Sequence, residues 1–287
     1  MRLASLCFLL LAGCPPVGSD TGLPPPVPRP DDTDPPITGV ELVVVGYNVE
    51  SGDAEAATIS QNVSEITGEA LWGFSEVESQ SWLDQFAIAA ADDPSQEFGK
   101  ILGTTGFSDR LGILWDNSRL ELLGSVELDA INVGGTARAP LVGHFRVREN
   151  GVEFKFMVNH LWRTDDAARV QQAQMLNAWA ASETLPLVAV GDYNFDWAVE
   201  GGEADHDAGY DQMVANSTWV WVRPDTLVAT QCSFAFDGVL DFTFVGNNAK
   251  NWPSSSEVLF TQNVYCQDSP QKPDHRPVLA TLLVPDP

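Results

Sequence analysis

The stretch VAVGDYNFDW, residues 188–197, is the part of the sequence that decides the fold. Its first three residues, Val188 to Val190, are apolar and typical of a buried strand. The apolar run stops at Gly191, and Asp192, Asn194 and Asp196 follow it directly. We predict that the strand ends at Gly191 and that oxygen-bearing side chains collect at its exit, where they could take part in a site.

The composition limits the classes of fold and function. The chain has 287 residues, of which 44% are hydrophobic, and this is enough for one large domain or two small ones. Its net charge is -25, from 40 acidic and 15 basic residues. Such a charge argues against an extended polyanion-binding surface, because phosphate backbones are held by lysine and arginine. For a phosphorylated substrate, a metal ion or a few placed arginines must offset the repulsion.

The N-terminal segment MRLASLCFLLLAGC, residues 1–14, has the pattern of an export signal. Its apolar run is too short to span a bilayer as a helix. The segment resembles a bacterial lipoprotein signal, in which cleavage leaves Cys14 to be lipidated. We therefore predict a signal peptide over residues 1–13 and a mature protein attached to a membrane through Cys14. An ordinary signal with a chance cysteine is the alternative, and the protein is exported or secreted in either case.

Residues 14–38 are predicted to form a tether, because prolines and aspartates dominate them and no apolar periodicity is present. The remaining residues, 39–287, show no internal repeat and are assigned to one folded domain. Two cysteines fall in this domain, Cys232 and Cys266. In an oxidising compartment they are predicted to form a disulfide, with two free thiols as the alternative.

Short apolar runs and amphipathic runs are mixed along the domain. Helices are predicted from Ala54 to Ile66, from Ser81 to Ala91 and from Asp165 to Ala181. This mixture favours sheets packed on each other with helices outside, because helices and strands do not alternate regularly. Strands are predicted over residues 40–48, 70–77, 111–116, 119–128, 139–147, 152–160, 185–191, 217–222, 240–246, 257–264 and 277–284.

Polar residues stand at or beside the ends of many of these strands. Strand ends at one edge of a sheet can bring their side chains into one cleft, although each residue alone is more typical of a turn, a cap or a solvated charge. The polar residues at these positions are Asn48, Glu50, Glu76, Asn159, His160, Asp192, Asn194, Asp241, Asp274 and His275.

The order and spacing of these residues resemble the endonuclease/exonuclease/phosphatase superfamily, which includes deoxyribonuclease I. The motifs that carry the resemblance are Asn48, Glu76, NHLW around His160, GDYN at Asp192 and Asn194, and the later Asp241 and His275. The resemblance covers nearly all of residues 40–284. It implies an α/β (α+β) fold, a four-layer α/β/β/α sandwich with two central mixed sheets and a site at their rim.

The resemblance also implies roles for individual residues. The metal-binding residues would be Glu76 as the principal ligand, with Asn48, Glu50 and Asp274. The ion would be Mg²⁺, or else Mn²⁺ or Ca²⁺. The general base stays open between Asp192 and His275, and Asp241 would orient His275. The catalytic residues would be His160, Asp192, Asn194, Asp241 and His275.

Three further residues are assigned to the substrate phosphate. Arg138, in the segment TARAPLVGHF, would contact a phosphate directly, and Asn159 would donate to it. Asp109 would pair with His160 nearby. Phe107 stands where the related nuclease segment has a tyrosine, so the phenol contact is missing.

The function expected from this resemblance is a metal-dependent phosphodiester hydrolase, with an extracytoplasmic nuclease as the leading interpretation. The partners would be nucleic acid or another phosphodiester substrate and a membrane, and no protein partner is inferred. A lipid or sugar phosphodiesterase or phosphatase of the same fold is the first alternative. A catalytically inactive binding module on the same scaffold is the second.

Overall fold

The computed structural model describes residues 38–232, 238–266 and 272–287. The predicted signal peptide and all of the tether except Thr38 lie outside the described residues. The helices of the described ranges are α1 (Ala56–Ser64), α2 (Gln80–Ala89), α3 (Asp166–Ser182) and α4 (Ala208–Val214). The strands are β1 (Gly39–Asn48), β2 (Leu71–Val77), β3 (Phe98–Leu102), β4 (Arg110–Asp116), β5 (Leu120–Glu127), β6 (Leu141–Val147), β7 (Glu153–His160), β8 (Leu187–Ala198), β9 (Trp219–Trp221), β10 (Gly238–Gly246), β11 (Ser254–Val258) and β12 (Val278–Pro285).

The strands form two six-stranded mixed sheets. The first has the order β11-β12-β1-β2-β4-β3, and the second has the order β5-β6-β7-β8-β10-β9. Each sheet has a parallel pair at its centre, β1 with β2 and β7 with β8, flanked by antiparallel neighbours. Because parallel strands end at the same edge of a sheet, the carboxyl ends of both central pairs lie at one rim.

Three apolar clusters define four layers. The central cluster joins the inner faces of the two sheets, with Val44 and Ile113 from the first sheet and Phe156 and Val190 from the second. A second cluster lies between the first sheet and helices α1 and α2. The third lies between the second sheet and helices α3 and α4. The predicted four-layer α/β/β/α sandwich is therefore confirmed.

The two sheets approach each other most closely near Gly73 on β2. A Cβ atom placed there would lie 2.4 Å from Cγ2 of Val190 and 2.7 Å from Cγ2 of Val158, both on the facing sheet. Such distances are too short for any side chain, so a glycine is required at this contact. The close packing brings the ends of β1 and β2 next to those of β7 and β8.

The prediction that the strand beginning before Val188 ends at Gly191 is wrong. Strand β8 continues to Ala198, so Asp192, Asn194 and Asp196 lie within it. The reason is tertiary: β10 pairs with β8 from Gly246 opposite Leu187 to Asp241 opposite Asp192, and it pairs again at Trp197 and Ala198 after a register shift. This second stretch of pairing continues the strand beyond the polar residues, which the apolar pattern alone does not reveal.

The other predicted elements agree with the structure to different degrees. The three predicted helices are confirmed within a few residues at their ends. The strand predicted over residues 257–264 is misplaced, because the strand is at Ser254–Val258, where it pairs with β12. Strand β3 and helix α4 were not predicted, since β3 is short and α4 lies in an acidic, glycine-containing segment.

The predicted disulfide between Cys232 and Cys266 is confirmed. The amide of Cys232 also donates to the carbonyl oxygen of Asp274 at 2.6 Å, so the disulfide lies beside the segment that carries Asp274 and His275. In the described part of the chain, we find no helix with the length and apolar character needed to cross a membrane.

Candidate active site

Four polar side chains from four different strands meet at the rim of the sandwich. Asn48, at the end of β1, donates from Nδ2 to Glu76 Oε1 and to Asp192 Oδ2, each at 3.0 Å. Nε2 of His160, at the end of β7, lies 3.5 Å from Asp192 Oδ2 and 3.8 Å from Glu76 Oε1. The predicted convergence of strand ends is therefore present, with Asn48 linking the two sheets.

The backbone at the site departs from regular strand geometry. Glu50, Glu76 and Asn194 have positive φ angles of 52°, 66° and 52°. The pairing of β2 with β4 shifts register between Phe74 and Val77, which turns the Glu76 side chain toward the cleft. Positive φ in residues other than glycine is a strained conformation that is concentrated at functional sites.

Asn194 is held in its conformation by the residue two positions before it. Its backbone amide donates to Asp192 Oδ1 at 2.9 Å, as in an Asx turn. Its side-chain amide donates to the carbonyl oxygen of Leu161 at 3.2 Å. The close pairing of β8 with β7 also requires Gly191, since a Cβ atom there would lie 2.0 Å from the carbonyl oxygen of Asn159.

Glu76 has donors on both carboxylate oxygens. Asn48 donates to Oε1, and the amide and the hydroxyl of Ser51 both donate to Oε2 at 3.0 Å. Burial alone would raise the pKa of Glu76, but the His160 charge, the Asn48 amide and the His275 charge lower this pKa to about 2. Glu76 is therefore a stable anion at neutral pH and a suitable ligand for a cation.

His275 forms a buried pair with Asp241. Its Nδ1 lies 2.7 Å from Asp241 Oδ2, and its Nε2 lies 3.8 Å from Asp192 Oδ2. Burial would lower the pKa of His275, but the carboxylates of Asp241, Asp192 and Asp274 raise it well above the ordinary value of a histidine. The predicted orientation of His275 by Asp241 is therefore present.

Asp192 and Asp241 are the most enclosed carboxylates of the site, with exposures of 2% each. The pKa of Asp192 is raised by burial and by the neighbouring Asp241 carboxylate, against the opposing effect of His160 and His275. Oδ1 of Asp241 has no hydrogen-bond partner among the described residues. Asp192 is thus a carboxylate that can accept a proton more readily than an exposed aspartate.

Glu50 and Asp274 complete an acidic wall beside Glu76. Burial raises the pKa of Glu50 to about 7, and the negative charge of Asp274 adds to this increase. Burial also raises the pKa of Asp274, and the negative charges of Glu76 and Asp192 act in the same direction. Such mutual repulsion favours a bound cation, and carboxylate oxygens are the ligands that Mg²⁺, Mn²⁺ and Ca²⁺ prefer. The donor set therefore fits a hard divalent ion.

Two tighter groupings of metal-ligating atoms are also present among the described residues. One consists of Glu76, Asp109 and His160, and the other of Asp192, Asp241 and His275; within each, the ligand atoms lie within 4.8 Å of one another. The first contains the predicted principal ligand Glu76, and the second contains the predicted acid-base residues. Asn48 uses both amide hydrogens on carboxylates and therefore positions Glu76 and Asp192 for any ion.

Arg138 and Asp109 form an ion pair next to His160. Arg138 Nη2 lies 2.6 Å from Asp109 Oδ2, and Nε donates to Oδ1 at 3.0 Å. The same Nη2 lies 2.9 Å from His160 Nε2, and Asp109 Oδ1 lies 3.5 Å from His160 Nδ1. The predicted proximity of Asp109 to His160 is therefore present, whereas the role of Arg138 at a phosphate stays a prediction.

Asn159 differs from the other predicted residues because its side chain points away from the cleft. It is fully buried and donates from Nδ2 to the hydroxyl of Tyr193 at 3.0 Å. Its Oδ1 has no hydrogen-bond partner among the described residues. The role predicted for Asn159 as a phosphate donor has no support from this position.

The cleft has a volume of about 640 Å³ and contains residues that the sequence reasoning did not assign. Ser51 supports Glu76, whereas Arg163 and Arg169 come from the segment between His160 and the first turns of α3. Their signal in the sequence is weak, because it is only their proximity to the histidine motif. The cleft is lined by Glu50, Ser51, Asp53, Glu76, Arg163, Asp166, Arg169, Asp192, Asn194, Asp196, Gln231, Leu240, Asp274 and His275.

Comparison with solved structures identifies the fold. An endonuclease/exonuclease/phosphatase family protein from Bacteroides thetaiotaomicron matches with a TM-score of 0.64 and 18% identity, over 86% of this chain and 96% of that one. A mannosyl-6-phosphatase from the same organism matches with a TM-score of 0.61 and 19% identity, over 85% and 100%. TDP2 from D. rerio, complexed with a single-strand DNA product, matches with a TM-score of 0.64 and 14% identity, over 85% and 99%.

No model of a protein family and no curated protein matches the sequence. The chain has the fold of the endonuclease/exonuclease/phosphatase proteins. The resemblance in the motifs is therefore confirmed at the level of fold, and the geometry of the rim defines the class of site: carboxylates suited to a divalent cation beside a buried carboxylate-imidazole pair.

Proposed function

We propose that the protein is a divalent-metal-dependent phosphoester hydrolase. The observation that carries the proposal is the juxtaposition in one cleft of the acidic wall, formed by Glu50, Glu76 and Asp274, with the Asp241–His275 pair. Hydrolysis of a phosphate ester needs both functions, a cation at the phosphate oxygens and a group that moves a proton. The fold shared with a phosphatase and with a DNA-bound TDP2 supports the same class.

Glu76, Glu50 and Asp274 would hold the ion, with Mg²⁺ as the first candidate. When bound, the ion would supply positive charge to the nonbridging oxygens of the phosphate. Asn48 and Ser51 keep the Glu76 carboxylate in place through the hydrogen bonds to its two oxygens. These contacts fix the ligand in advance, which reduces the reorganisation needed when the ion binds.

His275 and Asp192 would move the protons. Because Nδ1 of His275 faces Asp241, its Nε2 is the atom directed toward Asp192 and the cleft. With its raised pKa, His275 would donate the Nε2 proton to the oxygen that leaves phosphorus. Asp192 would accept a proton from the attacking water, which forms the new oxygen–phosphorus bond, and His160 would donate to a phosphate oxygen. The general base is thus assigned to Asp192 rather than to His275.

For the substrate, we propose nucleic acid first and a sugar or lipid phosphoester second. TDP2 with a single-strand DNA product supports the first, and the mannosyl-6-phosphatase supports the second. The chain has four lysines and a net charge of -25, so contact with a long phosphate backbone would be limited. If the substrate is nucleic acid, cleavage should therefore depend only weakly on salt concentration.

A substrate panel with and without chelator tests the proposal. Purified protein is incubated with single-stranded DNA, plasmid DNA, sphingomyelin, a sugar phosphate and bis(p-nitrophenyl) phosphate, in Mg²⁺ or in EDTA. We expect hydrolysis of at least one substrate that stops in EDTA and returns with excess Mg²⁺ or Mn²⁺. Lipid or sugar hydrolysis without DNA cleavage would contradict the nuclease interpretation and leave the hydrolase proposal intact. A folded protein that hydrolyses none of them would favour the inactive binding module.

We also propose that the protein is exported and attached to a membrane through lipidated Cys14. The Cys232–Cys266 disulfide supports an oxidising compartment. Cys14 itself lies outside the described residues, so the lipid anchor depends on the sequence alone. Mass spectrometry of the mature N-terminus tests it: we expect a lipidated Cys14, and a mature chain that starts at another residue would exclude the anchor.

A further inference from the structure

Two arginines line the cleft, and they differ in their partners. The guanidinium of Arg169 is buried and lies 2.7 Å from both Asp166 and Asp207. Arg163 is exposed, and no carboxylate oxygen of the described residues lies within 4.0 Å of its guanidinium nitrogens. Among the described residues, Arg163 is therefore a positive charge without a carboxylate partner, although half of the residues around the cleft are acidic.

The backbone that carries Arg163 is held by several contacts. Arg169 Nη1 donates to the carbonyl oxygens of Trp162 and Arg163, at 2.7 and 3.0 Å. The Trp162 amide donates to Gln172 Oε1 at 2.9 Å, and its indole Nε1 donates to the carbonyl oxygen of Val133 at 3.1 Å. The Arg163 side chain thus starts from a fixed position, so less entropy is lost when it binds a ligand.

The reaction centre proposed above is compact and does not include Arg163. His160 lies within 3.5 Å of Asp192 and 3.8 Å of Glu76, and Arg163 contacts neither of these carboxylates. A guanidinium in this position is suited to a phosphate next to the one that reacts, because arginine binds phosphate oxygens in a bidentate manner.

We propose that Arg163 binds a second phosphate of the substrate, adjacent to the phosphate that is hydrolysed. This inference rests on the proposed phosphoester hydrolase function and adds a specificity-determining residue to it. The preferred substrate then carries two phosphates close together, as in a nucleic-acid strand or in a small bisphosphate. The cleft carboxylates around Arg163 would repel a longer series of phosphates, so one additional phosphate contact is expected.

A pair of chromogenic substrates tests this subsite. Thymidine 5′-(p-nitrophenyl phosphate) is compared with the same compound carrying a 3′-phosphate, by release of p-nitrophenol in Mg²⁺. We expect kcat/KM of the wild-type protein to be roughly 10- to 100-fold higher for the compound with the 3′-phosphate, the range of a hydrogen bond to a charged group. Arg163→Gln should abolish this preference by raising KM for the compound with the 3′-phosphate, and it should leave hydrolysis of the first compound unchanged. Arg163→Lys should restore part of the preference.

The control is Arg223→Gln. Arg223 is an exposed arginine outside the cleft, where it pairs with Glu203 at 2.7 Å and lies over the rings of Trp197 and Trp221. Its substitution should leave the preference intact. An equal loss on both substrates in Arg163→Gln would mean that Arg163 contacts the reacting phosphate, and an unchanged preference would mean that it contacts no phosphate. Either result overturns the second-phosphate subsite.

A binding measurement separates this inference from the proposed function. Calorimetry compares thymidine 3′,5′-bisphosphate with thymidine 5′-monophosphate, and glucose 1,6-bisphosphate with glucose 6-phosphate, for wild type and Arg163→Gln. Tighter binding of a bisphosphate that is lost in Arg163→Gln supports the subsite even if no substrate is hydrolysed; the nucleotide pair alone would indicate nucleic acid, and the sugar pair alone a sugar phosphate. Equal binding within both pairs would contradict the subsite.

Discussion

Two glutamates at opposite ends of β2 are both shielded from water, but they have opposite ionisation properties. Glu69 precedes the strand, and neither of its carboxylate oxygens has a hydrogen-bond partner of normal geometry among the described residues. Burial, with the charges of Asp92 and Asp116, raises its pKa to about 8. Glu76, near the other end, has donors on both oxygens and a pKa of about 2.

The difference shows that the neighbours of a shielded carboxylate can reverse the effect of burial on its charge. At Glu69 the contacts with its own backbone amide and with the Trp72 side chain only partly offset the loss of hydration, so the neutral acid is favoured. At Glu76 an amide, a hydroxyl, a backbone amide and two imidazoles favour the anion. Glu69, which favours the neutral acid, belongs to the scaffold. Glu76, which favours the anion, belongs to the site.

The largest expected effect comes from removing the charge of Glu76. Glu76→Gln should lower kcat/KM for the best substrate by about 10⁴-fold, because the proposed principal ligand of the metal ion is lost. Glu69→Gln is the matched control, with the same chemical change seven positions earlier in the sequence, and should keep its activity. Steady-state kinetics in Mg²⁺ measures both. Comparable losses in the two folded variants would break the distinction between site and scaffold.

The histidine pair provides the second test. His275→Ala should reduce kcat by about 10³-fold, since it removes a proton donor. Asp241→Asn should cause a smaller loss, because the imidazole remains and only the 2.7 Å contact with its carboxylate partner is weakened. Circular dichroism verifies that both variants are folded. A folded His275→Ala protein with normal turnover would refute the proposed chemistry.

A smaller effect is expected from a single donor on Glu76. Ser51→Ala removes the hydroxyl that donates to Oε2 but keeps the backbone amide that donates to the same oxygen. We expect about a 10-fold weaker affinity for Mn²⁺ in calorimetry, the effect typical of losing a group that supports a metal ligand. Ser64→Ala, at an exposed hydroxyl bonded to the Gln61 carbonyl oxygen, is the control. Unchanged affinity in Ser51→Ala would show that the hydroxyl does not help to organise Glu76.

The smallest effect on function is expected at the Glu69 end, where the change is in stability. Its pKa rises from 4.5 in the unfolded chain to about 8 in the folded one, so between these pH values only the folded state keeps the proton. The free energy of unfolding therefore falls as pH rises from 4.5 to 8. Glutamine does not titrate, so the free energy of unfolding of Glu69→Gln should rise relative to that of the wild type by on the order of 3 kcal/mol between pH 5 and pH 8.

Urea denaturation in EDTA measures this change without the contribution of metal binding. At the other end of β2 the sign is reversed: the pKa of Glu76 falls from 4.5 to about 2, so its contribution to stability is present above pH 4.5 and is lost as pH falls toward 2. An equal difference in stability between Glu69→Gln and wild type at pH 5 and pH 8 would show that Glu69 is already ionised in the folded protein.

Much of the site could be predicted because polar residues at strand ends are an anomaly in the sequence pattern. Asn48, Glu76, His160 and Asp192 interrupt or follow apolar runs, and the structure brings them together. Asn159 has the same local pattern but faces Tyr193, because side chains alternate between the two faces of a strand. The pattern identifies the strand end, and the register of the strand decides which face a residue occupies.

The residues that were missed have no local signature. Ser51 and Arg163 are ordinary polar residues in loops, and Arg169 resembles any helical arginine. Ser51 matters because it donates to Glu76, and Arg169 because it pairs with Asp166 and Asp207. Arg163 matters because no described carboxylate pairs with it. These relationships join residues far apart in the chain or depend on the absence of a neighbour.

The sequence by itself determined the order of most strands and helices, the cysteine pair and the set of residue types needed at the rim, because these depend on local periodicity and chemistry. Only the tertiary structure decided that β8 continues through Asp192 to Ala198, since β10 pairs with it at Asp192 and again, after a register shift, at Trp197 and Ala198. It also decided the charges of Glu69 and Glu76, because a pKa depends on partners that come from other strands and loops. Packing of the two sheets against each other, with Gly73 at their closest contact, placed those partners.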